Sequence, residues 1–187
     1  MPRRYIIEEI KTIGDYKYVV IFGEIGHRCG YVAIKPSHPL FGFDYDADIK
    51  SPELLQEIKS STIGKKSIID VMCWDGESTK LAILIDVHGG LTYSALGHLT
   101  SYPTIQFDKV WWLGFDCGHY GDAKDLSAMQ KHFPSYYNLM QEHNLLTSFF
   151  DNTVKPKQYV INECLSMIQQ LDCIKDTLKE TRVLIAN

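Results

Sequence analysis

Four short polar clusters hold most of the side chains that could do chemistry. In Gly26-His27-Arg28-Cys29-Gly30-Tyr31, His27 titrates near neutrality and Arg28 offers a planar fork suited to phosphate or carboxylate. The same residues also suit a solvated turn between two strands. In Asp86-Val87-His88-Gly89-Gly90-Leu91-Thr92-Tyr93-Ser94, two glycines permit backbone N–H groups to face an anion. His88 is a candidate general base there, and Thr92 or Ser94 a candidate hydrogen-bonding partner for a ligand. A tight turn around a structural histidine is the competing explanation.

The third cluster, Asp116-Cys-Gly-His119-Tyr-Gly-Asp122, carries Asp and His at mixed spacing. Asp116, His119 and Asp122 are candidates for a divalent metal site, with His88 as a further ligand. A metal-free use is equally open, in which Asp116 orients His119 as acid or base. Asp122 or Asp125 also suits a helix cap, and Cys117 beside Phe115 suits a packed thiol. In the fourth cluster Tyr159 and Glu163 are four residues apart, so they share one side of a helix. There Glu163 could act as an acid/base or accept a hydroxyl, or could stand as a solvated flank residue. The chain has no Walker loop, no GxGxxG, no HExxH, no GxSxG and no CxxC pair.

Loops of this kind need a rigid frame, and the sequence supplies one. Tyr5–Lys11 and Tyr16–Gly23 read as strands separated by a Gly14-Asp15 turn. Cys29–Ile34 reads as a third strand, ended by Pro36 and Pro39, before an aromatic loop from His38 to Tyr45. Ser51-Pro52-Glu53 is a helix start, with Leu54, Leu55 and Ile58 on one face. Ile68–Cys73, Lys80–Val87 and Val110–Phe115 are apolar runs that predict buried strands, the last holding the Trp111-Trp112 pair. A helix is expected through Met129. A second is expected from Pro156, where Val160, Ile161, Cys164, Leu165, Ile168, Leu171, Ile174 and Leu178 follow helical spacing. The predicted fold is α+β: a mixed, largely antiparallel sheet of five to seven strands, with a long C-terminal helix packed on one face. One domain over 1–187 is expected, with 132–153 as a variable insertion.

Composition bounds the function. The chain has 187 residues, 45% of them hydrophobic and 22% charged, which supports a core and excludes global disorder. A formal charge of −4 argues against a general nucleic-acid binder, which needs a dense basic face. Five cysteines without CxxC spacing, no legible signal peptide and no apolar run near ~18 residues predict a reduced, cytoplasmic protein outside the membrane. No cofactor is indicated, a divalent metal is allowed, and a homo-oligomer is compatible with the sequence.

Gly26-His-Arg-Cys-Gly-Tyr-Val32, His38-Pro-Leu-Phe-Gly42, Val87-His-Gly-Gly-Leu-Thr-Tyr-Ser94 and Trp111-Trp-Leu-Gly-Phe-Asp-Cys-Gly-His-Tyr-Gly-Asp122 resemble the signature segments of a family of small phage and prophage proteins. The Tyr159…Glu163 helix resembles that family's C-terminal segment. Gly118 departs from its pattern, which has Ala there, and the stretch between Ala123 and Lys155 is longer. The resemblance implies a phage setting, hence the host cytoplasm, and counter-defence against a host that signals with nucleotides. Three functions are then expected. The first is a phosphodiesterase acting on a cyclic dinucleotide or an ADP-ribose-type signal. In it Arg28, Gly89 and Gly90 hold phosphate, His88 and His119 move protons, Asp116 orients an imidazole, and Tyr31, Tyr93 or Tyr120 stacks on a base. The second is a sponge that sequesters the same ligand uncleaved. The third is a protein–protein inhibitor acting through Phe41, Phe43, Tyr45 and 132–153.

Overall fold

The computed structural model describes residues 4–50, 79–97, 109–146 and 152–185, with no side-chain description beyond 178. Its frame is a five-stranded sheet in the order β1-β2-β3-β7-β6, with every neighbouring pair antiparallel. The strands are β1 (Tyr5–Ile13), β2 (Tyr16–Gly23), β3 (Arg28–Ile34), β6 (Tyr93–Leu96) and β7 (Trp111–Asp116). Two-residue strands β4 (Asp48–Ile49) and β5 (Thr79–Lys80) pair with each other. The strands β8 (Asp122–Ala123) and β9 (Thr153–Val154) form a separate parallel pair. The helices are α1 (Leu81–Leu84), α2 (Leu126–His132), α3 (Pro134–Glu142) and α4 (Lys157–Ile185). The α+β class and the long C-terminal helix are as the sequence predicts.

The central strands are apolar on both faces because both faces are covered. On one face Tyr18, Val20, Val32, Leu113 and Phe115 pack against Val160, Cys164, Met167 and Leu171 of α4. On the other, Val19, Ile21, Tyr31, Ala33 and Trp112 form a second cluster with Tyr5. The period-2 alternation of a strand splits consecutive residues between these two clusters. It also splits the tryptophans: Trp112 is fully buried, whereas Trp111 faces the first cluster and donates its Nε1 proton to the Phe43 carbonyl at 2.9 Å. Gly30 admits α4 to the sheet, since a Cβ there would stand 2.7 Å from Cys164 Sγ and 2.5 Å from the Phe115 ring.

The predicted Lys80–Val87 strand is a correction. Only Thr79 and Lys80 pair as a strand, and Leu81–Leu84 form one helical turn closed by Ile85 N–H to Leu81 O at 3.2 Å. Leu81 and Ile85 are both fully buried, and a helical turn sends i and i+4 to the same side. A short apolar run satisfies either geometry, so the core decides between them. The predicted α2 cap resolves in favour of Asp125, which accepts from Ala128 N, and α4 follows Pro156 as expected. The predicted helix at 51–58 and strand at Ile68–Cys73 lie outside the described residues. Within the 132–153 segment, Pro at N1 opens α3. No helix among the described residues is long and apolar enough to cross a membrane.

Candidate functional site

The start of β3, the ends of β2 and β7, the 86–92 turn and the first turns of α4 meet at one end of the sheet. Of the candidate polar residues, His88, His119, Asp122 and Glu163 are linked there, through the Asp122 carboxylate and the His88 backbone. His88 is the hub. Its Nε2 lies 2.8 Å from Asp122 Oδ2, its Nδ1 lies 3.1 Å from the Tyr159 hydroxyl, and its backbone N–H donates to Glu163 Oε2 at 2.7 Å. In the neutral imidazole these partners assign the proton to Nε2, which donates to the carboxylate, while Nδ1 accepts from Tyr159. His119 donates its backbone N–H to the same Asp122 oxygen at 2.9 Å, and its ring sits 5.7 Å from that of His88. Lys155 Nζ approaches the other Asp122 oxygen at 3.5 Å. Burial pushes the Asp122 carboxyl up. The bonds from His88 and His119 and the charges of His88 and Lys155 outweigh that effect, so Asp122 titrates below the usual carboxylate range.

This geometry changes several expected roles. His88 has both ring nitrogens engaged, so it ties α4 to β8 and presents no free base. Glu163 holds a backbone N–H, the part of a positioning residue. Gly89 and Gly90 both have positive φ, +69° and +81°, but their turn is not an open anion cradle. Gly90 N–H donates to Val87 O at 2.9 Å, and a Cβ on Gly89 would overlap the His119 imidazole. Asp122 makes no helix cap, because its carboxylate serves His88 and His119. Among the described residues no three His, Cys, Asp or Glu side chains are placed to share a metal ion, so Asp116, His119 and Asp122 do not form a common site.

Arg28 is the largest departure. Expected to hold a ligand phosphate, it is buried and clasped by the protein's own carboxylates. Its Nε donates to Glu8 Oε2 at 2.7 Å and one terminal nitrogen to Glu8 Oε1 at 3.1 Å. The other reaches Asp125 Oδ2 at 2.8 Å and the Lys155 carbonyl at 3.1 Å, with the guanidinium carbon 5.0 Å over the Phe22 ring. The fork chemistry read from the sequence is present, but its acceptors come from β1, the α2 cap and the lead-in to α4. His38 is likewise structural, bonded through Nε2 to Leu171 O and through Nδ1 to Leu40 N–H.

The opposite face of the sheet carries an open pocket of about 790 Å³ at the same end. Tyr31 and Tyr93 line it, their rings edge to face at 5.3 Å. Gly114 makes room for the first, since a Cβ there would stand 2.5 Å from the Tyr31 ring. His27, Lys124 and Arg4 line the pocket too, together with Glu24, Thr92 and Asp116. Asp116 accepts from Gly118 N–H at 2.9 Å and from the Thr92 hydroxyl at 3.1 Å, and is 3.7 Å from His119 Nε2. That carboxylate stands between the pocket and the His119 ring without a hydrogen bond to it. Tyr120 is 90% exposed and lies outside the pocket lining, so it supplies no wall for stacking. Cys29 lines the pocket, but burial pushes its thiol up to about 12, and the Asp116 charge adds to the shift. Burial likewise pushes Cys117 up to about 12, so neither is a ready thiolate.

Sequence reading missed Lys124, Glu8, Asp125 and Lys155 as members of this region, and did not give Tyr159 a site role of its own. Glu8, an acidic residue set in an apolar strand, was the one visible signal. Compared with protein-family models, curated proteins and solved structures, the chain matches none.

Proposed function

We propose that this protein captures a small phosphate-bearing ring compound in the Tyr31–Tyr93 pocket and sequesters it without cleavage. The observation that carries the reading is the pairing of an aromatic lining with His27, Lys124 and Arg4 in the same pocket. A nucleotide has the matching parts: a flat base for the tyrosines and an anionic group to meet Lys124 and a protonated His27. The roughly 790 Å³ of the pocket falls in the range of small-molecule sites. Sequestration is favoured over turnover because His88, Asp122, Glu163 and Arg28 spend their hydrogen-bonding capacity on one another and on their own neighbours. The resemblance to phage proteins gives the ligand a setting, a nucleotide signal of host defence, and makes the protein a counter-defence sponge.

A second reading, hydrolysis of the same ligand, has one observation in its favour. His27 Nδ1 and His119 Nε2 are buried without a hydrogen-bond partner among the described residues, and Asp116 lines the pocket. Incubating the purified protein with a panel of cyclic dinucleotides and ADP-ribose derivatives, then denaturing it by heat, separates the two. Sequestration returns the ligand intact in stoichiometric amount, whereas turnover returns products in excess of protein. Retention of no compound, with host-factor inhibition that survives Tyr31→Ala and Lys124→Ala, replaces both with the protein–protein reading and its exposed Phe43 and Tyr45.

A further inference from the structure

His27 occupies an unusual position in the pocket. It sits on the β2–β3 hairpin and lines the cavity. Its Nδ1 is buried and has no hydrogen-bond partner among the described residues. In the neutral ring one nitrogen is an acceptor and carries no proton. A phosphodiester offers only acceptor oxygens at neutral pH, so it gains nothing from an unprotonated ring nitrogen. The protonated ring instead adds a positive charge to the pocket lining.

The surrounding charges point the same way. Lys124 and Arg4 line the pocket, but so do Asp116 and Glu24, and Arg4 pairs with Glu24 at 3.4 Å. Two formal positive charges meet two negative ones, so the empty pocket offers an anion no net attraction. From β8 the Asp122 carboxylate also acts on the ring through its charge, while engaged with His88 and Lys155. The neighbouring Cys29 and Cys117 thiols are held in the uncharged form. Burial, with Lys124 adding to it, holds His27 below the usual histidine range in the free protein, against the opposing pull of Cys117, Asp122 and Asp116.

We propose that His27 is the phosphate-recognition residue of this pocket and that binding a phosphate-bearing ligand takes up one proton there. This inference rests on the pocket reading given above. It deepens that reading by making ligand choice depend on a negative charge: a nucleotide brings the proton in, and the uncharged nucleoside does not.

Calorimetric titration in two buffers of different ionisation enthalpy measures the uptake directly. The probes are 3′,5′-cyclic AMP, cyclic di-AMP and cyclic di-GMP, whose phosphodiesters do not titrate in the range used, with adenosine and guanosine as phosphate-free counterparts. Cyclic-nucleotide binding is expected to take up about one proton near neutral pH, and its affinity to fall by up to about tenfold per pH unit as pH rises across that window. Nucleoside binding is expected to show no uptake. His27→Gln should bind the cyclic nucleotides more weakly at the acid end and without that slope, with its melting temperature recorded as a check on folding. If that variant does not fold, the two-buffer measurement on the parent protein decides alone. Cyclic-nucleotide binding with no proton uptake, or a slope retained in a folded His27→Gln, overturns this inference and leaves the pocket standing. Failure of every probe to bind overturns both.

Discussion

Residue types at this end of the sheet were chosen as much for internal satisfaction as for contact with anything outside. Arg28 shows the logic most clearly. Burying a guanidinium without partners is costly, and Glu8 and Asp125 together neutralise it with short, charge-assisted bonds. Burial lowers the tendency of Arg28 to hold its proton, but the bonds and charges of the two carboxylates outweigh that and raise it. Arg28→Ala should destabilise the fold by about 3–5 kcal/mol, because it strands two partly buried carboxylates. Urea unfolding checks this, and a midpoint unchanged from the parent would show that Arg28 is not a structural tie. If Arg28 instead gripped ligand phosphate, the substitution would abolish capture while sparing stability.

At the level of elements, α4 and the sheet are fastened by two different kinds of contact. Apolar packing along Val160, Cys164, Met167 and Leu171 sets the distance, and Gly30 allows it. The Glu163–His88 and Tyr159–His88 bonds then fix where the 86–92 turn lies against the helix. On the other face Gly114 plays the matching part by letting Tyr31 lie across β7. Gly114→Ala should displace that ring, narrow the pocket and weaken ligand capture at least tenfold, since about 1.4 kcal/mol of lost contact is enough for that. The stability cost of the crowding should be about 1–3 kcal/mol. Binding and melting measured on the same preparation check both expectations, and parental affinity in the variant would remove Tyr31 from the binding surface.

For the whole molecule, two of the carboxylates that join its parts, Asp122 and Asp125, contribute to acid stability. Asp122 and Asp125 both titrate below the usual value of 3.8: burial raises each, and their hydrogen bonds and cationic neighbours outweigh it. A carboxyl with a depressed folded-state pKa contributes stability that is complete above the unfolded value and is lost as pH falls through the folded one. Unfolding free energy should therefore be flat in this contribution above about pH 5 and decline below 3.8. Asp125→Asn should be less stable near neutral pH and show a shallower acid limb. Denaturant melts at a series of pH values test this, with equal slopes for parent and variant as the contrary result.

Much of this architecture was legible in the chain itself. Strands β1, β2, β3 and β7, the Gly14-Asp15 turn and the stripe on α4 follow from local periodicity and turn chemistry, which act over a few residues. The polar clusters were legible as clusters for the same reason, since each lies within a short loop. What the sequence did not determine was which groups satisfy which. The partners of Arg28 lie 20 and 97 residues away, and those of His88 lie 34 and 71 residues away. The Leu81–Ile85 run likewise took its helical turn from the core it packs into. Local pattern fixes which way a side chain points along its own element, but pairing of buried charges is decided by which elements the fold brings together. That is why an arginine suited to a ligand became a tie within the protein, and why the open pocket lies across the sheet from the network of His88.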